Sequence, residues 1–150
     1  MDLFIREVNA DNWDQVAMLS VNEDQKEFIE SNAYSLAQSK FEAGWTAVGL
    51  YDGEALIGFA MYGLHKQTGR VWLDRFMIDK QFQGRGYGKK AMQCLLDHIQ
   101  AVYQPKTIYL SIFKENKHAQ TLYEKFGFRF NGEIDIGGEL VMELPMLAAK

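Results

Sequence analysis

Hydrophobic residues recur along this chain with two periods, about two residues in some segments and about 3.6 in others. Short runs that alternate with polar residues, or that are apolar throughout, predict β-strands. Such runs cover residues 3–8, 46–51, 55–64, 71–78, 107–113, 128–136 and 139–144. The run at 71–78 is apolar except at Asp74 and Arg75. We therefore expect it to be a central strand that is covered on both faces.

The helical period is clearest in the second half of the chain. In residues 88–103 the apolar side chains fall at positions i, i+3, i+4 and i+7 of one helix face, and Pro105 ends that helix. Residues 119–126 repeat the pattern in a shorter helix that ends at Gly127. Because the long helix lies between two predicted strands, it can connect them in parallel orientation.

The N-terminal third predicts shorter helices. Asp11 can cap a helix that extends to about residue 19, because an aspartate oxygen accepts hydrogen bonds from the free N–H groups at a helix start. Residues 23–43 are mostly helix-forming, which predicts one or two short helices that end at Gly44.

Glycine-containing turns complete the predicted fold. Asp52-Gly53 separates two strand-like runs, and Gly137-Gly138 separates the last two, as in β-hairpins. Hairpins give antiparallel pairs, and only the connection through the long helix gives a parallel one. We therefore expect a single α+β domain over residues 1–150, with a mixed, mostly antiparallel central sheet flanked by about four helices.

Composition limits the class of protein. The chain has 150 residues, 47% hydrophobic and 24% charged, which is typical of a folded globular protein. Its longest apolar run is too short for a membrane helix, and its first residues lack the pattern of a signal peptide. A net charge of −4 argues against nucleic-acid binding, and the single cysteine, Cys94, cannot form an intramolecular disulfide. We expect a cytoplasmic protein that binds neither nucleic acid nor membranes.

The most informative segment is a glycine-rich turn before the long helix, Gln83-Gly84-Arg85-Gly86-Tyr87-Gly88-Lys89-Lys90. Alternate glycines let backbone N–H groups converge, and the helix start adds free N–H groups and the positive end of its dipole. A connection without a ligand is the alternative, but the coincidence of glycines, lysines and a helix start favours an anion site. The turn matches neither the phosphate-binding loop of nucleotide hydrolases nor the dinucleotide fingerprint, because positions 83 and 89 are not glycine.

Gln83, Gly86 and Gly88 form the pattern Q-x-x-G-x-G, which resembles the pyrophosphate-binding signature of the GNAT superfamily of acyl-CoA-dependent N-acyltransferases. Residues 116–128 resemble that superfamily's N-x-x-A-x-x-L-Y-x-K-x-G-F segment at every position. Further segments are similar to the bacterial spermine/spermidine (diamine) N-acetyltransferases. They are residues 48–51, 58–63, 69–76, 78–79 and 108–113.

The resemblance implies acetyl-CoA as cosubstrate and no metal. Backbone N–H groups of the turn would hold the pyrophosphate, and those of residues 76–78 would face the pantetheine arm and the acyl oxygen. Asn116 would cap its helix, hydrogen-bond the coenzyme, or do both. The residues implied to bind the coenzyme are Phe76, Met77, Ile78, Gln83, Gly84, Arg85, Gly86, Tyr87, Gly88, Lys89, Asn116 and Tyr123.

Two catalytic side chains are implied as well. Tyr123 would be the general acid near the coenzyme sulfur, although its place on the apolar helix face also fits a core tyrosine. Asp74 would bind the substrate ammonium and accept its proton, and a structural ion pair with Arg75 or another basic residue is the alternative. Strand alternation predicts which side chains share a face with this aspartate. They are Trp72, Phe76 and Ile78.

Three glutamates precede the first hairpin at helical spacing. Glu23, Glu27 and Glu30 fall at i, i+4 and i+7, which predicts one acidic helix face. A solvated face is the simplest interpretation. The resemblance would place that face beside the acceptor channel, where Glu27 and Glu30 would bind and attract a substrate that carries several positive charges.

These observations predict an acetyl-CoA-dependent N-acetyltransferase that acetylates a primary amine of a polyamine by direct transfer in a ternary complex. One alternative is another acceptor, such as a protein lysine or N-terminus, an aminoglycoside or an amino-acid-like molecule. A second is a non-catalytic acyl-CoA-binding module. The three histidines lack metal-ligand spacing, so we expect no metal site. The closing hairpin could join two copies as a homodimer.

Overall fold

Seven strands form one sheet in the computed structural model, which describes residues 1–146. The strands are β1 (Leu3–Glu7), β2 (Trp45–Asp52), β3 (Ala55–His65), β4 (Arg70–Ile78), β5 (Thr107–Ile112), β6 (Arg129–Ile134) and β7 (Leu140–Pro145). Their order is β1-β2-β3-β4-β5-β7-β6, and every neighbouring pair except β4 and β5 is antiparallel. The predicted α+β class with a mixed, mostly antiparallel sheet is confirmed. The last four residues of the predicted domain, 147–150, lie outside the described residues.

Four α-helices accompany the sheet, as expected. They are α1 (Trp13–Met18), α2 (Asn32–Phe41), α3 (Tyr87–Tyr103) and α4 (Lys117–Lys125). A short 3₁₀ helix, Glu23–Phe28, precedes α2. Because α3 connects β4 to β5, that pair is parallel. Within residues 1–146, no helix combines the length and the apolar character that crossing a membrane requires.

Each face of the sheet carries its own hydrophobic cluster. On one face Phe59, Met61 and Met77 pack with Val16 of α1 and with Leu36 of α2. On the other face α3 and α4 cover the sheet. The buried residues of α3 are those that its period predicted, Ala91, Met92, Leu95, Leu96 and Ile99, whereas Val102 at its end is exposed. Because helices cover both faces of the sheet, the carboxyl end of β4 lies between the two hydrophobic clusters.

The first helix differs from its prediction. It begins at Trp13, and the residue at its cap position, Asn12, makes no side-chain bond to the helix. Asn9 and Asn12 instead close a polar turn, in which the Asn12 Oδ1 accepts from the Asn9 N–H (2.8 Å) and the Asn9 Oδ1 accepts from the Asp11 N–H (2.8 Å). The predicted capping role of Asp11 is therefore wrong, because this turn occupies the residues where the helix was expected to begin.

Candidate active site

The parallel strands β4 and β5 pair over only two residues, Val71 with Ile108 and Trp72 with Tyr109. β4 continues for six residues beyond these pairs, and β5 for three. A cavity of about 290 Å³ lies along the separated strand ends, lined by Phe76, Met77, Ile78, Ser111 and Ile112. The predicted role of residues 76–78 requires a strand edge that no neighbouring strand covers, and the separation provides it.

A β-bulge interrupts β4 at Asp74. Met61 of β3 pairs with Arg75, and the next residue, Tyr62, pairs with Leu73. Asp74 therefore has no partner on β3, and the alternation of side chains changes phase at this position. Asp74 still lines the cavity.

The bulge changes which residues of β4 share a face. Trp72 pairs with Gly63, whereas Phe76 pairs with Ala60, and these two partners are an odd number of residues apart on β3. Trp72 and Phe76 therefore lie on opposite faces of the sheet. The predicted common face of Asp74 with Trp72, Phe76 and Ile78 is wrong, because regular alternation assumed a strand without a bulge.

The glycine-rich turn offers open backbone beside the cavity. Gly84 has φ 79° and Gly86 has φ 83°, in the region that side chains rarely adopt. At Gly84, Gly86 and Gly88, apart from the adjoining backbone, no atom of residues 1–146 lies within 4 Å of the place that a Cβ would occupy. Because α3 begins at Tyr87, free N–H groups of its first turn add to those of the loop. The turn therefore fits a pyrophosphate held by main-chain N–H groups.

The larger side chains of the turn contact the protein itself. The Tyr87 hydroxyl donates to the Asp52 carboxylate at the end of β2, and its ring lies edge-on to Phe82 with centroids 5.9 Å apart. The Arg85 guanidinium lies 5.5 Å from the Phe82 ring centroid. Of the seven turn residues predicted to bind the coenzyme, Gln83, Gly84 and Gly88 line the cavity, and Arg85, Gly86, Tyr87 and Lys89 do not.

Gln83 connects the turn to the 3₁₀ helix. Its side-chain N–H groups donate to the Ile78 carbonyl (2.9 Å) and to the Gln25 Oε1 (3.0 Å), and its Oε1 accepts from Asn22 (2.9 Å). Both hydrogens of the amide are therefore used inside the protein. Gln83 positions the turn, and its predicted contact with the coenzyme stays a prediction.

Tyr123 and Asn116 are placed by α4. Asn116 is the N-cap, and its Oδ1 accepts from the Ala119 N–H (3.3 Å), so the predicted capping role is confirmed. Tyr123 is only 8% exposed and lines the cavity, as Asn116 does. Within residues 1–146 the Tyr123 hydroxyl makes no hydrogen bond, and burial together with the Glu139 charge raises its pKa. The phenol is therefore protonated at neutral pH, as a general acid must be.

Four carboxylates and one guanidinium lie close together in the cavity wall: Glu30, Asp74, Asp135, Glu139 and Arg75. The Arg75 Nη1 lies 2.7 Å from the Asp74 Oδ2, and its Nη2 lies 3.2 Å from the Glu30 Oε2. The ion pair that was the alternative interpretation of Asp74 is therefore present. Burial raises the pKa of Asp74, and the Arg75 charge opposes this rise.

The acidic face predicted before α2 does not form. Residues 23–28 adopt a 3₁₀ helix with about three residues per turn, so positions i and i+4 do not share a face. Glu23 instead pairs with Lys26, 2.6 Å away, and Glu30 lies beyond the helix end. Glu30 lines the cavity, whereas Glu27 is exposed outside it.

The sequence profile of the Acetyltransferase (GNAT) family matches residues 9–128. The chain belongs to this family. It is 46% identical over 148 residues to a spermine/spermidine N(1)-acetyltransferase of Bacillus subtilis (strain 168), with 95% of this chain and 97% of the relative covered. It is 47% identical, with the same coverage, to a probable spermine N(1)-acetyltransferase of Bacillus subtilis subsp. natto.

The GNAT fold is also seen in a crystal structure of spermidine N-acetyltransferase from Vibrio cholerae in complex with CoA and spermine. The TM-score is 0.75 at 19% identity, over 96% of this chain and 95% of that one. As a GNAT acetyltransferase, the chain is an N-acetyltransferase that uses acetyl-CoA. The open backbone of Gly84, Gly86 and Gly88 suits this cosubstrate.

Sequence reasoning missed part of this GNAT site. Asp135 and Glu139 lie in the turn between β6 and β7, where the Asp135 Oδ1 accepts from the N–H groups of Gly137 and Glu139 (2.9 Å each). The spacing Asp-x-Gly-Gly predicts a turn, but nothing in it indicates that the turn faces the cavity. Other lining residues not anticipated are Gln25, Phe28, Ser111 and His118.

Proposed function

We propose that this GNAT acetyltransferase acetylates a primary amine of a polyamine, by direct transfer from acetyl-CoA in a ternary complex. The observation that carries the proposal is the group of carboxylates beside Tyr123, where four acidic side chains face one guanidinium. A polyamine carries several positive charges at neutral pH, because each alkylamine has a pKa near 10.4. The names of the two Bacillus relatives agree with this substrate class.

On the acceptor side, Asp74 is the proposed substrate-binding carboxylate. Its side chain lines the cavity and is held in place by Arg75, so it can receive an ammonium group without rearranging. Glu30 shares that guanidinium and lies at the more exposed side of the cavity, where it would bind a second amine of the substrate. Glu27 lies outside the cavity and would act through long-range attraction alone.

On the donor side, the groups that act are mainly those of the main chain. N–H groups of the glycine-rich turn hold the pyrophosphate, and Asn116 binds the arm of the coenzyme. The uncovered edge of β4 at residues 76–78 offers N–H groups to the thioester oxygen, where one donor is worth about 3 kcal/mol as negative charge develops. This arrangement leaves the acetyl group between β4 and Tyr123.

Tyr123 is the proposed general acid, which donates its proton to the departing thiolate. Direct transfer is supported by the position of Cys94, the only cysteine of the chain. It lies on α3 with its Sγ 3.8 Å from the Leu3 carbonyl oxygen and does not line the cavity. A thiol that could carry the acetyl group is therefore not among the described cavity residues.

Release of CoA thiol tests the proposal. Initial rates would be measured with spermine, spermidine, putrescine, a lysine peptide and an aminoglycoside at equal concentration. We expect kcat/KM for spermine or spermidine to exceed that for the peptide by at least about tenfold, since a multiply charged acceptor engages several carboxylates. Varying both substrates should give intersecting double-reciprocal lines. Preference for the peptide or the aminoglycoside would overturn the polyamine assignment, and parallel lines would overturn direct transfer.

A homodimer through the hairpin of β6 and β7 is part of the same proposal. Phe130, Ile134 and Ile136 are exposed along this edge of the sheet, and a second copy would cover them. Light scattering at micromolar concentration should then give twice the 17.2 kDa of one chain. A mass of one chain at that concentration rules the dimer out.

A further inference from the structure

Glu139 reaches the cavity from the wall opposite β4. It immediately precedes β7, whose first residue, Leu140, pairs with Ile112 at the end of β5. β5 and β4 are the two strands that separate to form the cavity, so Glu139 and Asp74 approach the same space from different strands. The main chain of Glu139 is fixed, because its N–H donates to the Asp135 Oδ1.

The two carboxylates differ in what already binds them. Asp74 is 2.7 Å from Arg75, a cation whose side chain is only 12% exposed. That guanidinium also donates to the Ser35 Oγ and the Gln38 Oε1, 3.1 Å each, and pairs with Glu30, so its donors are already used. The Glu139 side chain has neither a hydrogen bond nor an ion pair among the residues that the structure describes. It is therefore available to a ligand.

A second group in the same space also lacks a partner within the described part of the chain. The Tyr123 hydroxyl belongs to a residue that is more than nine-tenths buried, lines the cavity and interacts electrostatically with Glu139. The hydroxyl oxygen is open to the cavity, so it is available to a polar ligand. The base and the acid of an amine acetylation act at the same reacting carbon, and Glu139 and Tyr123 line the same cavity.

We propose that Glu139 is the catalytic base, which takes the proton of the substrate ammonium, while Asp74 and Arg75 form a fixed anchor for that amine. This inference rests on the proposed acetyl transfer to an amine. The neutral amine nitrogen bonds the acetyl carbon as the carbon–sulfur bond breaks, and the thiolate takes the Tyr123 proton. The second proton of the nitrogen returns to the Tyr123 oxygen, and Glu139 releases its proton to solvent. The products are the amide, CoA thiol and one proton.

The charges around Glu139 suit it to this task. Burial raises its pKa to about 7, and the negative charges of Asp135, Glu30 and Asp74 contribute to this rise while Arg75 opposes it. Tyr123, whose pKa the Glu139 charge helps to raise, and His118 are further titratable groups that line the same cavity. A carboxylate that titrates near neutral pH is a stronger base than an ordinary glutamate and is still ionised at pH 8. Below about pH 7 it is protonated and cannot accept a proton, so kcat/KM should fall on the acid side.

The pH dependence of Glu139→Gln tests the proposal. At pH 7.5 we expect kcat/KM for spermine to fall about 100-fold, as for loss of a general base. The loss should shrink steadily towards pH 10, because neutral amine then exists in solution and needs no base. Glu139→Asp keeps a carboxylate and should keep an acid limb. The Kd of acetyl-CoA should stay within twofold for both variants, which shows that they fold.

Glu133→Gln is the matched control. It removes the same charge from the same hairpin, but Glu133 is exposed and pairs with Arg70, 2.7 Å away and outside the cavity. Its kcat/KM and pH profile should match those of the wild type. If Glu139→Gln keeps the wild-type acid limb, or loses activity equally at every pH, the base assignment is wrong. If the wild-type protein acetylates no amine at all, the failure lies with the proposed function instead.

Discussion

The two halves of the cavity are built in different ways. The half proposed to hold the coenzyme consists mainly of residues 76–78 of β4 and of Gln83, Gly84 and Gly88 in the glycine-rich turn, so most of it lies within one short stretch of chain. The acceptor half consists of Glu30, Asp74, Arg75, Asp135 and Glu139, which come from three distant stretches. The first half offers main-chain N–H groups, and the half proposed to bind the acceptor offers charged side chains.

This difference has a physical consequence for each half. Main-chain donors are fixed by the strand and by the turn, so they suit the reactant that never varies, the coenzyme. Charged side chains can be exchanged one at a time without changing the backbone, so they suit the part that sets specificity. Substitutions should therefore separate into those that affect coenzyme binding and those that affect acceptor binding.

Tyr123→Phe should have the largest effect, because it removes the hydroxyl that is the proposed general acid. Removal of a general acid should lower kcat by about 100-fold to 10,000-fold. The Kd of acetyl-CoA and the KM for spermine should change less than threefold. Stopped-assay rates of CoA release and calorimetry of acetyl-CoA binding measure these quantities. A kcat near that of the wild type would exclude Tyr123 as the acid.

Tyr62→Phe is the control for that substitution. Tyr62 is also buried, but its hydroxyl lies 2.9 Å from the His98 Nε2 and away from the cavity. Its loss should lower the free energy of unfolding by about 1 kcal/mol and leave kcat unchanged. Tyr123→Phe should do the opposite, since the hydroxyl that it removes has no partner among the described residues.

The sequence predicted more of one half of the cavity than of the other. The shape of the glycine-rich turn was predictable, because its glycines and the following helix lie in one contiguous segment and glycine readily adopts positive φ. The position of Glu139 at the cavity was not predictable, because it depends on the pairing of β7 with β5, a contact that spans 28 residues in the pair Ile112 and Leu140. The bulge at Asp74 was not predictable for the same reason, because it depends on the register in which β4 pairs with β3.

Gly86→Ala should weaken coenzyme binding with a moderate effect. Gly86 has φ 83° and open space where a methyl group would stand, so alanine strains the backbone of the turn that is proposed to hold the pyrophosphate. We expect the Kd of acetyl-CoA to rise about tenfold, which is the effect of about 1.4 kcal/mol. The KM for spermine should stay within twofold. Calorimetry and saturation kinetics measure the two constants.

Gly53→Ala is the control that distinguishes the effect of backbone strain from the effect of lost contact with the ligand. Gly53 has φ 59° and no atom within 4 Å of the place that a methyl group would occupy, so it matches Gly86 in both respects but lies in the turn between β2 and β3. Both variants should lose about 1–2 kcal/mol of stability from the left-handed backbone. Only Gly86→Ala should change the Kd of acetyl-CoA. An equal change in both would mean that general destabilisation, and not the turn, controls coenzyme binding.

The smallest expected effect distinguishes two glutamates of the acceptor half. Glu30 lines the cavity and lies 3.2 Å from Arg75, whereas Glu27 is exposed outside it. Glu30→Gln should raise the KM for spermine about threefold, since a partly exposed ionic contact is worth less than about 1 kcal/mol. Glu27→Gln should change it less than about 1.5-fold, because solvent and salt screen a charge that touches no substrate. Neither should alter the Kd of acetyl-CoA. If the KM for spermine rises equally in the two variants and added salt abolishes both increases, the glutamates act by long-range attraction and not by contact within the cavity.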